Sequence, residues 1–264
     1  MQKNAELILN FSEVFSIPWK CSKNPLLEDF QTVNLNFELP QRNQVHLWLV
    51  NLEGLSYKKW YSILSKDENE KLEKIIPTIE RKLRSKSRIA LRLLLSLYLK
   101  IKPDSIVFNY GEFGKPELSL PNQKITFNLS HSENNLAVLI DSSNSIGVDI
   151  ETRNSNANIS LKLANRFFSE QEYLNLQALK GWEQEFLFNQ LWTLKESVLK
   201  SNGKGIHLID QAPDFSDLNI MHQSSSLNFF QKENYLGFTV YRKGLWISAV
   251  KLVLSIELVV GVFF

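Results

Sequence analysis

The chain has 264 residues, a formal net charge of +2 and a single cysteine, Cys21. This length allows one large domain or two small ones, and 44% hydrophobic with 22% charged residues is ordinary for a soluble globular protein. The small net charge gives no sign of a nucleic-acid-binding protein. One cysteine excludes an internal disulfide and fits a reducing, cytoplasmic environment.

The N-terminal half opens with about 40 residues of little periodicity, which we interpret as an extension without a secretory signal. Residues 44–52 predict a strand. Residues 65–75 predict a helix, because Ser65 and Glu68 form the capping-box pattern. Leucines at helical spacing predict a long helix over residues 81–101, ended by Pro103.

Short strands follow in the middle of the chain. Residues 105–118 predict a strand, a turn and a second strand, and residues 124–151 predict three short strands separated by polar turns. Residues 154–158 predict a loop.

The C-terminal part predicts two helices, over residues 169–179 and 182–203, the second ended by Gly203. A hairpin is predicted around Lys243 and Gly244. The apolar residues 245–264 are interpreted as strand and not as a membrane span, because Lys251 and Glu257 interrupt them.

A weak internal repeat relates the two halves. Residues 64–68 resemble residues 168–172 at a separation of 104 residues, and the same separation places Arg92 opposite Glu196. The pattern predicts an α+β fold with a pseudo-two-fold arrangement of two similar halves, each a small antiparallel sheet packed with helices. The halves are residues 1–143 and 144–264, with a ligand site in the cleft between them. The alternative is a coincidence between two amphipathic helices.

Two acids interrupt an apolar run at residues 145–153. In an extended strand Asp149 and Glu151 share one face, where two like charges repel each other. Glu196 and Lys200 are four residues apart and share one side of a helix. Three carboxylates suit Mg²⁺, which completes its coordination with water and phosphate oxygens. The alternatives are a solvated strand edge and an exposed ion pair.

Other segments carry groups that bind anions. Arg81, Arg84, Arg88 and Arg92 fall on one stripe of the long helix, which suits phosphate, an acidic protein or plain solvation. Residues 130–132, Ser-His-Ser, place hydrogen-bond donors at a strand end. A glycine-flanked turn presents Lys115, but its glycine spacing matches neither a Walker loop nor a dinucleotide fingerprint.

Five segments, in the order FGKP, FNLSHS, GVDIE, FFSEQEY and WTLKESVLK, resemble the 4′-phosphopantetheinyl transferases of the Sfp type. The resemblance implies a pseudo-dimeric α+β enzyme with coenzyme A and Mg²⁺ or Mn²⁺ in its cleft. Such an enzyme moves the phosphopantetheine arm of coenzyme A onto a serine of an apo acyl carrier protein or peptidyl carrier protein, and releases 3′,5′-ADP. The pathway served by the carrier stays open between fatty-acid, polyketide, nonribosomal-peptide and glycolipid synthesis.

The resemblance also implies roles for single residues. Asp149, Glu151 and Glu196 would hold the metal, and Lys200 would bind the pyrophosphate. Contacts with coenzyme A are implied for a further set: Arg88, Arg92, Lys115, Pro116, Ser130, His131 and Lys195.

The reaction needs a group that accepts the serine proton, and the candidates are Glu196, a metal-bound water and Glu172. Two other functions remain open at this point: a non-catalytic module that binds coenzyme A or a carrier, and a Mg²⁺-dependent phosphodiesterase. The internal repeat predicts a monomer.

Overall fold

The computed structural model of the chain describes residues 15–19, 37–40, 45–119, 125–142, 145–152, 157–218, 227–242 and 244–252. Within these ranges the α-helices are α1 (Tyr57–Trp60), α2 (Lys66–Glu73), α3 (Thr78–Leu99), α4 (Ala157–Phe167), α5 (Glu170–Gln177) and α6 (Gly181–Ser201). The strands are β1 (Phe15–Trp19), β2 (His46–Asn51), β3 (Phe108–Tyr110), β4 (Pro116–Leu118), β5 (Thr126–Ser132), β6 (Asn135–Asp141), β7 (Ile146–Thr152), β8 (Leu227–Lys232), β9 (Tyr235–Arg242) and β10 (Leu245–Leu252). Helices with small antiparallel sheets confirm the predicted α+β class.

The first sheet has the strand order β1-β2-β6-β5 and is antiparallel throughout. Alternation along β2 gives it two apolar faces: Trp48 and Val50 join the leucines of α3 in one core, and Leu47 joins a second core on the opposite side. The long leucine-rich helix therefore covers one face of this sheet.

The second sheet has the order β7-β10-β9-β8 and is covered by α6. Its uncovered face packs against the uncovered face of the first sheet, through Leu139 of β6 and Val148, Ile150 and Ile247 of the second sheet. The result is four layers: α3, the first sheet, the second sheet and α6. Because Val148 and Ile150 face the inter-sheet core, the alternate residues Asp149 and Glu151 face α6.

Polar side chains of β5 hold β7 in place where the two sheets adjoin. The Asn128 side-chain carbonyl accepts from the Val148 backbone N–H at 2.9 Å, and the Ser132 hydroxyl accepts from the Thr152 N–H at 3.0 Å. These bonds satisfy strand donors that would be costly to bury alone. They set the acidic strand beside the Ser-His-Ser segment.

Two helices begin with the same capping motif. The capping box predicted at Ser65 and Glu68 is present at the start of α2, and a second one joins Ser169 and Glu172 at the start of α5. Each buried glutamate also pairs with a buried cation of a long helix: Glu68 with Arg92 at 2.7 Å, and Glu172 with Lys195 at 3.0 Å.

The end of α6 is fixed by a Schellman motif. The Lys204 N–H donates to the Leu199 carbonyl at 2.9 Å, and the Gly203 N–H donates to the Lys200 carbonyl at 3.2 Å. Gly203 has a φ of +67°, a conformation that glycine adopts without strain. The helix thus ends just before Gly203, as the sequence predicts.

Three boundaries differ from the predictions. The long helix starts at Thr78, directly after Pro77, and ends at Leu99 because Lys100 adopts a left-handed conformation three residues before Pro103. Residues 157 and 158, predicted as loop, begin α4. Within the predicted N-terminal extension, β1 pairs with β2.

Both chain ends fall largely outside the described residues, so the predictions for residues 1–14 and 253–264 are not addressed by the structure. In the part of the chain that it does describe, no helix combines the length and apolar character that a membrane crossing needs.

The close packing of α6 on β7 depends on Gly147. A Cβ atom at this position would lie 1.9 Å from the Ser197 carbonyl oxygen and 2.5 Å from the Ser201 nitrogen. Because both are backbone atoms, no side-chain rotation relieves the clash. We expect Gly147→Ala to lower the free energy of unfolding by about 3 kcal/mol or to prevent folding, measured by urea denaturation.

The matched control is Gly111→Ala, since a Cβ there meets only the Lys115 carbonyl oxygen at 3.9 Å. It should change the free energy of unfolding by no more than about 0.5 kcal/mol. Equal midpoints for the two variants would contradict the close approach of α6 to β7.

Candidate active site

Three carboxylates from two elements converge where α6 crosses β7. Asp149 and Glu151 point from β7 toward the helix, and Glu196 points from α6 toward the strand. One carboxylate oxygen of each lies within 4.8 Å of the other two. The predicted cluster is therefore present in the fold, built by strand alternation on one side and by the Gly147 contact on the other.

Asp149 is the most deeply placed of the three. Its Oδ1 accepts from the Ser130 hydroxyl at 2.7 Å and from the Lys200 ammonium, whereas its buried Oδ2 has no hydrogen-bond partner among the described residues. Lys200 also lies 3.3 Å from Glu196. One cation thus balances part of a three-carboxylate cluster and leaves an acceptor without a donor.

The electrostatics of the cluster reflect this imbalance. Burial, followed by the charge of Asp149, raises the pKa of Glu151 to about 7 and that of Glu196 to about 7. Burial alone would lower the pKa of Lys200, but Asp149 and Glu196 outweigh it and raise the pKa. An unpartnered carboxylate oxygen and two acids that resist ionisation fit a site for a hard divalent cation.

Two neighbours support the acids, although the sequence reasoning did not connect either of them with the acidic cluster. The Ser132 hydroxyl donates to Glu151 at 3.2 Å, and the Trp192 side chain hydrogen-bonds to Glu196. Both lie inside the recognised motifs, but only the three-dimensional contacts show what they touch.

A cavity of about 560 Å³ lies beside the cluster, with Glu196 and Lys200 on its wall. Basic side chains outnumber acidic ones along it: Lys71, Arg84, Arg88, Lys115, Lys200 and Lys204 against Glu68 and Glu196. The lining comes from α2, α3, the β3–β4 turn and β5 on one side and from the end of α6 on the other. Such a cavity suits a polyanionic ligand.

His131 and Ser130 take different positions. His131 lines the cavity, and burial, followed by the charge of Arg84, lowers the pKa of its imidazole. The ring is therefore neutral at pH 7 and would meet an anion as an N–H donor. Ser130 lies deeper, where it donates to Asp149 and accepts from Lys200 at 2.8 Å.

Lys115 and Pro116 line the cavity where the β3–β4 turn meets the end of α6. The Lys115 ammonium donates to the carbonyl oxygens of Lys200 at 2.8 Å, Ser201 at 3.2 Å and Ile146 at 3.3 Å. It thus joins the turn to both elements that carry the acids.

The arginines of α3 do not act as one stripe. Arg88 lines the cavity with a buried Nη1 that finds no hydrogen-bond partner in the part of the chain that the structure describes, and its guanidinium lies 5.6 Å from the Tyr110 ring centroid. Arg92 lies under the surface, paired with Glu68 and donating to the carbonyls of Pro103 and Ile106. Arg92 is therefore not among the residues that line the cavity, and its expected contact with coenzyme A stays a prediction.

Lys195 and Glu172 also lie away from the cavity. Lys195 is buried on the core side of α6, where it pairs with Glu172 and donates to the Pro213 carbonyl at 3.2 Å. Glu172 also accepts from the Phe215 backbone N–H at 2.8 Å. Neither is among the residues that line the cavity, so this geometry gives no support to the expected contact of Lys195 with coenzyme A or to Glu172 as the proton acceptor, and both stay predictions.

Comparisons with known proteins agree with this geometry. A family model described as the 4′-phosphopantetheinyl transferase superfamily matches residues 145–249, a range that contains all three carboxylates. Protein slr0495 of Synechocystis sp. is 35% identical over 164 residues, which cover 62% of this chain and 66% of that protein.

Two further relatives carry an enzyme name. The 4′-phosphopantetheinyl transferase HetI of Nostoc sp. is 31% identical over 173 residues, covering 64% of this chain and 73% of HetI. The 4′-phosphopantetheinyl transferase Sfp of Bacillus subtilis is 34% identical over 152 residues, covering 57% of this chain and 65% of Sfp. The match with slr0495, like that with Sfp, thus spans just under two thirds of the relative's length.

The raised pKa values predict how stability depends on pH. Glu151 and Glu196 hold protons up to about pH 7 in the fold but ionise near pH 4.3 when unfolded, so the folded state binds more protons in between. The melting temperature without divalent cations should therefore fall as the pH rises from about 5 to about 8. Mg²⁺ should raise it most at pH 8, measured by calorimetry.

The control is the double variant Glu151→Gln, Glu196→Gln, which lacks both titrating carboxylates. Its melting temperature should depend less on pH and should respond little to Mg²⁺. A Mg²⁺ response of wild-type size in this variant would place the metal elsewhere.

Proposed function

The chain belongs to the 4′-phosphopantetheinyl transferase superfamily, and on that premise we propose that it modifies carrier proteins. The reaction transfers the 4′-phosphopantetheine arm of coenzyme A to a serine of an apo acyl carrier protein or peptidyl carrier protein. It releases 3′,5′-ADP. One observation carries the proposal: a cluster of three carboxylates adjoins a cavity lined by six basic side chains.

The carboxylates are proposed to hold the metal. Asp149, Glu151 and Glu196 would bind Mg²⁺ or Mn²⁺, and the unpartnered Oδ2 of Asp149 is the acceptor that most needs such a ligand. When bound, the cation neutralises negative charge on the diphosphate of coenzyme A. Lys200, held by Asp149 and Ser130, adds a second positive charge at the same edge of the cavity.

The cavity side chains are proposed to orient the rest of coenzyme A. Arg88 has a buried donor without a partner, and Arg84 and His131 lie beside it on the cavity wall. Charged and neutral N–H donors together suit phosphate groups. Phosphoryl-transfer catalysis depends mainly on such positioning and charge neutralisation.

The transfer step itself needs few groups. The serine oxygen forms a bond to the β-phosphorus of coenzyme A, and the bond from that phosphorus to the oxygen leading to 3′,5′-ADP breaks. The serine proton needs an acceptor, and Glu196 is our candidate because its carboxylate lines the cavity.

We also propose that the two halves, residues 1–143 and 144–264, are related by a pseudo-two-fold axis with coenzyme A in the cleft between them. The repeated capping boxes, the paired buried ions and the layered order of helix, sheet, sheet and helix support this arrangement. A chain with its own internal two-fold would work as a monomer, and its single cysteine fits the cytoplasm.

The decisive variant is Glu196→Gln, which removes one negative charge and keeps the size of the side chain. We expect transfer to fall by at least about 100-fold while the fold is retained. The measurement is mass spectrometry of several apo carrier proteins incubated with coenzyme A and Mg²⁺, where each modified carrier gains the mass of one phosphopantetheine arm.

Glu183→Gln is the matched control, because this acid lies exposed in the first turn of α6, far along the helix from the cluster. It should transfer at the wild-type rate. Full activity in Glu196→Gln would refute the proposed site. Coenzyme A cleavage without any carrier would instead indicate a phosphodiesterase.

A further inference from the structure

We propose that Lys115 is a positioning residue: its ammonium group fixes the end of α6 against β7 and thereby sets the geometry of Glu196 and Lys200. The family resemblance assigns this lysine to coenzyme A, whereas its contacts assign it to the protein. The inference rests on the proposed function for its kinetic test, but not for its binding tests.

The hydrogen bonds of Lys115 leave no donor for a ligand. An ammonium group has three N–H donors. Three carbonyl oxygens lie within reach of this one, those of Lys200, Ser201 and Ile146, at 2.8, 3.2 and 3.3 Å. A contact with phosphate would have to break at least one of these bonds.

The end of α6 is a place where such a cation stabilises the structure. The last carbonyl groups of a helix have no partners within it and carry a partial negative charge. The N–H groups of the Schellman motif donate to the carbonyls of Leu199 and Lys200. The Lys115 ammonium also donates to the Lys200 carbonyl, and it donates to the carbonyl of Ser201. The ammonium thus completes the cap of the helix.

Lys115 can fix the position of other elements because backbone hydrogen bonds close the turn that carries it. The Gly111 N–H donates to the Lys115 carbonyl at 2.9 Å, and the Gly114 N–H donates to the Gly111 carbonyl at 2.9 Å, which closes the turn. Pro116 then starts β4, paired with Tyr110 of β3. The side chain therefore extends from a closed turn and not from a free loop.

The elements that Lys115 joins are those that carry the proposed chemistry. Ile146 is the first residue of β7, which bears Asp149 and Glu151. Lys200 offers its carbonyl to Lys115 and its ammonium to Asp149, and Glu196 lies one turn earlier on the same helix. A shift at this junction would therefore alter the distances between all three carboxylates.

The test compares Lys115→Met with Lys71→Met. Lys71 lines the same cavity, but its Nζ lies 3.1 Å from the Tyr110 ring centroid and holds no helix end. We expect Lys115→Met to lower kcat by about 10- to 100-fold, since small misplacements of catalytic groups have effects of that size. Its KM for coenzyme A should stay within about twofold of wild type. Lys71→Met should mainly raise KM.

Two further measurements need no carrier protein. Lys115→Met should weaken Mn²⁺ binding and speed amide hydrogen exchange at Gly203 and Lys204, while calorimetry finds 3′,5′-ADP affinity unchanged. Lys115→Arg keeps donors near the carbonyls and should restore part of the exchange protection and of kcat.

The opposite pattern would overturn the inference. Weaker 3′,5′-ADP binding and a higher KM in Lys115→Met, with kcat and exchange unchanged, would make Lys115 a phosphate ligand. Wild-type behaviour in every assay would also overturn it. If the wild-type protein modified no carrier, the proposed function would fail, and the Mn²⁺ and exchange measurements would still decide the role of Lys115.

Discussion

One buried and two half-buried carboxylates beside a single ammonium group are the constraint on which this structure depends. Asp149, Glu151 and Glu196 repel one another in a poorly hydrated space, and Lys200 balances only part of their charge. Such an arrangement is costly unless a cation joins it. The surrounding fold holds the acids together in spite of that cost, through the glycine contact between helix and strand and through the serines of β5.

The basic residues separate into two groups with different physical roles. Arg92 and Lys195 are buried, paired and bonded to carbonyls, so they stabilise the two cores. Arg84, Arg88 and Lys71 line the cavity. Charge and spacing in the sequence do not distinguish these groups, because helical periodicity gives the direction of a side chain but not what it meets.

The sequence predicted the elements with strong local signals. Capping boxes, leucine periodicity and the glycine after α6 depend on neighbouring residues, so the helices they mark are present. Helix α4 has no comparable signal, since its start lies within a run of asparagine and serine that favours a loop. The cluster of three carboxylates was predictable because strand alternation and helical spacing each fix the direction of a side chain. The three carbonyl partners of Lys115 come from residues more than 30 positions away, and no local pattern contains them.

The two buried ion pairs also bear on the proposed relation between the two halves of the chain. At the separation of 104 residues, Glu172 corresponds to Glu68, but Glu196 corresponds to Arg92. In the C-terminal part Glu172 pairs instead with Lys195, which lies one position before Glu196 and about 100° around the helix. If the halves are related as proposed, this shift of one position lets Glu196 face β7 as an acid, while the buried ion pair that secures the long helix is kept.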